Sequence, residues 1–206
     1  MGHRALVGYR RVDHLYDLRY SHWGGVDPQL AQAITPETPL ADGRVDGTVL
    51  ADTVALERLL TGFLDPRVHE ALYLVSPAFE VTPYRVWWLD WSDGRESCRG
   101  AIVETRPDSR VRDLRTWFRA TKAVLADAIE MGVLSRRAAR AYLEARICEE
   151  QGGYVYTYGE ADGVGGARSG GDDRPPPGDG GSSQSGGGDS SQSADEGESQ
   201  SGRRRP

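Results

Sequence analysis

Tyr84-Arg85-Val86-Trp87-Trp88-Leu89-Asp90-Trp91 is the stretch on which the fold turns. In an extended chain its side chains alternate between two faces. Arg85, Trp87, Leu89 and Trp91 share one; Tyr84, Val86, Trp88 and Asp90 share the other. Both faces carry large apolar groups, which predicts a strand inside a sheet covered on both sides. So many aromatics have a second use. An open aromatic face beside Arg85 and Arg95 would stack single-stranded bases. Core contact area is the plainer use, and it is preferred because Trp87 and Trp88 must face opposite ways.

Working outward, Asp93-Gly94 supplies a turn, and Glu96 to Glu104 returns as the second arm of a hairpin. Upstream, Leu72 to Val75 reads as a short strand, with Pro77 and Pro83 bracketing a loop. At the start of the chain, residues 3–9 and 15–20 both alternate, separated by a loop-sized Arg10-Arg11-Val12-Asp13-His14. This predicts an opening hairpin. It ends at Ser21-His22-Trp23-Gly24-Gly25, where two glycines permit a sharp bend. Asp27-Pro28 opens a short helix through Leu30 and Ile34, and Pro36 and Pro39 stop it. Residues 49–60 read as a helix capped by Asp52 or Thr48, with Leu50, Val54 and Leu56 to Leu60 on its buried side.

Two longer helices follow. Val111, Leu114, Trp117, Phe118, Thr121, Leu125, Ala128 and Ile129 recur at three and four. Asp108 or Ser109 caps that helix and Gly132 ends it. Ser135 caps the next, whose buried side is Ala138, Ala139, Tyr142, Leu143 and Ile147. Arg136, Arg137, Arg140 and Glu144 then face water. Tyr154 to Tyr158 is a final edge strand. From Ala161 onward the chain is Gly, Ser, Asp, Gln and Pro, too poor in apolar groups to offset its ordering entropy. The expected fold is therefore α+β. A small, mostly antiparallel sheet with a central Trp-rich strand is covered by helices, with an αα-hairpin near the end. One domain is expected over 1–160, with a disordered tail over 161–206.

Composition narrows the function classes. The chain has 206 residues and a formal net charge of −6. Residues 1–160 hold 20 basic and 23 acidic side chains, so no broad basic block attracts a polyanion. Cys98 and Cys148 have neither zinc-site spacing nor the density of a secreted disulfide scaffold. No apolar run reaches the roughly 18 residues of a membrane span, and the N-terminus lacks a signal-peptide core. The expectation is a cytoplasmic protein with reduced thiols and no membrane contact. Lys122 is the lone lysine beside 24 arginines, the bias a GC-rich genome produces.

Met-Gly-His-Arg-Ala-Leu-Val-Gly-Tyr at the start, then Leu15-Tyr16 and Tyr20-Ser21-His22-Trp23-Gly24-Gly25, resembles a family of uncharacterised proteins from halophilic archaea. The resemblance spans roughly residues 1–155. The Tyr-Ser-His-Trp-Gly element is also similar, more faintly, to a turn in uncharacterised phage and bacterial proteins. The resemblance implies a halophilic cytoplasm, in keeping with the acidic surplus and scarce lysine. It implies no activity, so no functional residue is carried over.

Chemistry-bearing residues gather at the first hairpin. His3 and His22 fall near facing ends of its strands, with Arg4, Ser21 and Trp23 nearby. Histidine can switch charge near neutrality, act as base or bind metal. A metal would need a third ligand such as His69, Asp90 or Cys98, brought in by the fold. Ser21 and His22 are adjacent on a strand and point to opposite faces, which disfavours a nucleophile–base pair. The cluster reads first as structural and next as a polar binding surface. A second candidate is the segment 124–147, a helix, a Gly132 turn and an Arg-bearing helix in helix-turn-helix outline. There Arg136, Arg137 and Arg140 would meet phosphates. Three function classes follow. The favoured one is a non-enzymatic binding or adaptor protein for an unknown protein or small polar ligand. The others are a DNA-associated protein and a small hydrolase or metal enzyme centred on His3 and His22. No cofactor is called for.

Overall fold

The computed structural model describes residues 3–25, 29–91, 98–105 and 110–159. The expected tail, the Asp93-Gly94 turn, the Asp27-Pro28 helix start, Arg95 and the Asp108 or Ser109 cap lie outside them. Among the described residues seven strands form one mixed sheet: β1 (Arg4–Arg10), β2 (Tyr16–Ser21), β3 (Ala51–Val54), β4 (His69–Val75), β5 (Val81–Trp88), β6 (Cys98–Glu104) and β7 (Tyr154–Tyr158). The helices are α1 (Leu30–Ala33), α2 (Leu56–Arg58, running into a π-turn at Leu59–Phe63), α3 (Arg110–Glu130) and α4 (Arg136–Gln151). Strand order is β3-β2-β1-β4-β5-β6-β7. Only β1 and β4 pair in parallel; the other neighbours are antiparallel. Among the described residues no helix is long and apolar enough to cross a membrane.

The alternation along β5 divides as its sequence dictates. Val86 joins Leu6, Leu18, Leu59, Leu64, Leu72, Ile102 and Tyr156 in a core on one face. Trp87 turns to the opposite face and packs with Ala101, Val103, Phe118, Leu125, Leu143 and Ile147 under α3 and α4. Farther along that second face, Ala5, Val7, Ala71, Tyr73 and Val75 lie under Leu30, Ile34 and Val45. The first core contains both Val54 of β3 and Tyr156 of β7, which belong to opposite edge strands. The sheet thus curls around the π-turn. The Tyr156 hydroxyl donates to the Leu64 carbonyl at 2.9 Å, and the Gly159 N–H to Thr61 O at 2.8 Å.

Three expectations are corrected. Residues 49–60 are not one helix. Leu50 and Leu56 are exposed, and Ala51–Val54 pairs with β2 as an edge strand. The outer backbone edge of β2 needs partners, and Leu50 N–H donates to Leu18 O at 2.8 Å. Tertiary pairing overrides the apolar periodicity. Second, Pro83 does not bound a loop: β5 begins at Val81 and Pro83 stands opposite Tyr73 inside it. A proline is tolerated there because it lacks only a donor; its carbonyl accepts from Thr105 N–H at 2.8 Å. Third, Ala138 and Tyr142 of α4 are exposed, while Ala139, Leu143 and Ile147 are buried. Spacings of four on α4 set a narrower buried stripe than expected. Arg140 and Glu144 are half-buried rather than turned to water.

Candidate cleft at the Ser21–Gly25 turn

The turn after β2 is built by close approach. A Cβ on Gly24 would stand 2.6 Å from Leu30 Cδ2 and 2.8 Å from Ser21 Oγ. One on Gly25 would meet the His3 backbone at 2.8 Å. Both positions therefore demand glycine. The Gly25 N–H donates to His3 O at 2.7 Å, the buried Tyr73 hydroxyl donates to Gly24 O at 2.7 Å, and Arg85 donates to Gly25 O. Ser21 is 1% exposed. Its hydroxyl donates to Arg44 O at 2.7 Å and accepts from Gly24 N–H at 3.1 Å. It is a structural tie between the turn and the 40–47 segment.

Pinned from beneath, the turn presents its two remaining side chains outward. Trp23 is 71% exposed. The His22 ring meets Tyr20 edge-on, with centroids 4.8 Å apart. Opposite them runs the 40–47 segment, fastened to β2 by Asp46 N–H to Tyr20 O at 2.8 Å and by Arg19 on the Gly47 carbonyl. The Thr48 N–H holds the Asp46 carboxyl below the usual carboxylate range, with His22 and Arg19 adding to it. Between turn and segment lies a cleft of about 490 Å³, lined by Ser21, His22, Trp23, Leu30, Leu40 and Arg44 among others. This is a ligand-sized volume, lined by apolar and polar side chains together.

The other candidates are dispersed. His3 is not on the cleft: its Nδ1 meets Glu70 Oε1 at 2.9 Å, and Glu70 faces Arg85 at 3.9 Å. Arg4 is exposed on β1, opposite His69. His69 is buried and its Nδ1 lies 3.1 Å from Asp65 O; burial lowers its pKa. Cys98 Sγ lies 3.6 Å from Asp65 Oδ1, and burial pushes the thiol up to about 12. Asp90 takes Arg99 N–H at 3.0 Å and Arg140 at 3.1 Å. Among the described residues no three His, Cys, Asp or Glu side chains converge as a metal site would require.

On α4, Arg136 and Arg137 are exposed. The αα-hairpin forms as spaced, with Gly132 at φ 71° and Ser135 Oγ accepting from Ala138 N–H at 3.2 Å. Arg140, however, is drawn aside by Asp90 and Glu144. Sequence reasoning missed the 40–47 wall of the cleft. Its local signal was Asp46-Gly47-Thr48, an Asx turn in which Thr48 N–H bonds Asp46 Oδ1 at 2.9 Å. It also missed the setting of Lys122. The ammonium donates to Trp88 O at 2.7 Å and stands over the Trp88, Trp91 and Phe118 rings at 4.6, 5.7 and 5.8 Å.

A protein family described as "Family of unknown function (DUF6735)" matches the sequence over residues 1–55 and 41–153. No curated protein and no solved structure matches it.

Proposed function

Since the chain belongs to that family of unknown function, we propose from its own geometry that it is a non-enzymatic binding protein. Its ligand, a small polar molecule or a protein segment, enters the cleft between the Ser21–Gly25 turn and the 40–47 segment. One observation carries the reading: a turn fixed by two obligate glycines and by hydrogen bonds from Gly25 N–H, Tyr73 and Arg85 holds an indole in water. An exposed tryptophan beside a cleft partly lined by Leu30, Leu40 and Val45 is an anchor for stacking or insertion. Arg44, Asp46 and His22 at the rim supply polar complementarity of both signs. Ser21 does not fit a nucleophile's role, because its hydroxyl is committed at both ends. The DNA-associated reading needs Arg136, Arg137 and Arg140 in one outward patch, and the Asp90 and Glu144 contacts of Arg140 weigh against it. A halophilic cytoplasm remains the setting proposed, so binding is best assayed at low and high salt.

The test is a thermal-shift screen of small polar compounds and short peptides against the wild type and Trp23→Ala. A ligand of the folded state raises the melting temperature by mass action. At least one compound is expected to stabilise the wild type and leave Trp23→Ala unmoved. The reading fails if every stabilising compound acts equally on both.

A further inference from the structure

A second concavity of about 270 Å³ opens between α4 and the β6–β7 edge, lined by Arg99, Arg137, Arg140, Ala141, Glu144 and Thr157. We propose that it is a binding site for a small oxyanion, a phosphate or carboxylate group, held by Arg99, Arg137 and Arg140. Three guanidiniums from two elements converge there in a chain whose formal net charge is −6. Two carboxylates stand against them. Glu144 Oε1 takes Arg99 Nε at 2.9 Å and lies 3.9 Å from Arg140 Nε. Asp90 Oδ1 takes Arg140 Nη1 at 3.1 Å. Neither carboxylate pairs with Arg137.

The contacts of Arg99 orient it more than they saturate it. Arg99 is fixed by Glu144, by Thr157 Oγ1 at 2.6 Å from Nη1, and through its backbone N–H by Asp90. A guanidinium carries more N–H donors than those partners use, in a planar fork that suits a carboxylate or phosphate. Arg137 makes no ion pair among the described residues and lies three residues before Arg140 on one helix face. Like charges at that spacing repel. An anion between them relieves that repulsion and takes the donors left on Arg99 and Arg137. The volume fits one small anion with some water, not the continuous backbone of a duplex. Arg137 and Arg140 thus serve a cleft, and Arg136, which does not line it, stays outside.

The experiment follows arginine Nε–Hε and Thr157 amide resonances of the full chain by NMR. Inorganic phosphate and acetate are titrated separately, at constant ionic strength set with chloride. A saturable shift at Arg99 and Thr157 with either anion is expected, and the better binder tells phosphate from carboxylate. Arg137→Ala, an exposed substitution, is expected to weaken that binding by about tenfold, the value of one charge-assisted hydrogen bond. Arg136→Ala is expected to leave it unchanged. A linear, unsaturated response of the wild type to both anions overturns the site. So does equal weakening by Arg136→Ala and Arg137→Ala, which would mark general surface charge. Salt-sensitive duplex binding without a saturable response to either anion would overturn it in favour of nucleic acid.

Discussion

Lys122, the lone lysine beside 24 arginines, is set against a backbone carbonyl and three aromatic rings. Burial lowers its pKa from 10.5 to about 8, while Asp90 works in the opposite direction. The three rings favour the charged form as well. The unfolded chain keeps this proton up to about 10.5; the folded chain releases it near 8. Between those values the unfolded state binds more protons, so this group's contribution to stability rises with pH. Urea unfolding of the wild type and Lys122→Met from pH 7 to 10.5 should show the wild type gaining on the variant across that window. Parallel curves would contradict the depressed pKa. The Cys98 thiol, raised to about 12, slopes the other way but is common to both proteins. Gly153 makes a steric prediction at the same scale. A Cβ there would lie 2.4 Å from Ile147 Cγ2 and 2.9 Å from Val103 Cγ2, both in the core. Gly153→Ala should cost about 1–3 kcal/mol by overpacking. Gly47→Ala, with open space around it, should stay within about 0.5 kcal/mol. Chemical denaturation measures both.

Among the elements, α4 starts where its sequence says it must. Ser135 satisfies the Ala138 N–H, so Ser135→Ala should destabilise by about 1 kcal/mol and Ser135→Asp by little; circular dichroism melts of the two variants check this. Elements whose signal is local were legible in this way. The Leu114–Ile129 stripe, the Gly132 stop, the opening hairpin and the divided faces of β5 all follow from spacing alone. The first half of 49–60 failed for a reason outside its own sequence, while Leu56–Phe63 is helical as expected. Leu50 and Val54, like Leu56 and Leu60, stand four apart, but β2 offered an open backbone edge, and pairing with it outweighed that spacing. Pro83 misled because a proline signals a break only where its missing N–H is needed. The candidate cluster was half legible. Ser21, His22 and Trp23 do meet on one cleft, because a Gly-Gly bend fixes them locally. His3 went to Glu70 and the opposite wall came from residues 40–47, since both depend on pairings many residues apart.

Over the described residues as a whole, the strand order sets the two clefts apart, one beside β2 and the other beside β6 and β7. The π-turn joins Val54 and Tyr156 into one core. α1 and the 40–45 stretch cover the opposite face at the β1–β4 end, and α3 with α4 cover it at the β5–β7 end. Each cleft opens beside one of these two covers. The chain has five tryptophans, and the roles argued above separate them: Trp87 is 6% exposed and stacks on Phe118 at 4.4 Å, whereas Trp23 is 71% exposed. Fluorine NMR of the 5-fluorotryptophan protein therefore resolves the cleft from the core in one spectrum. Titrated with the compounds that stabilise the wild type, the Trp23 resonance, assigned by Trp23→Phe, should shift and saturate while that of Trp87 stays in place. A Trp23 signal that no such compound moves, or that moves only together with Trp87, would contradict a binding role for this cleft.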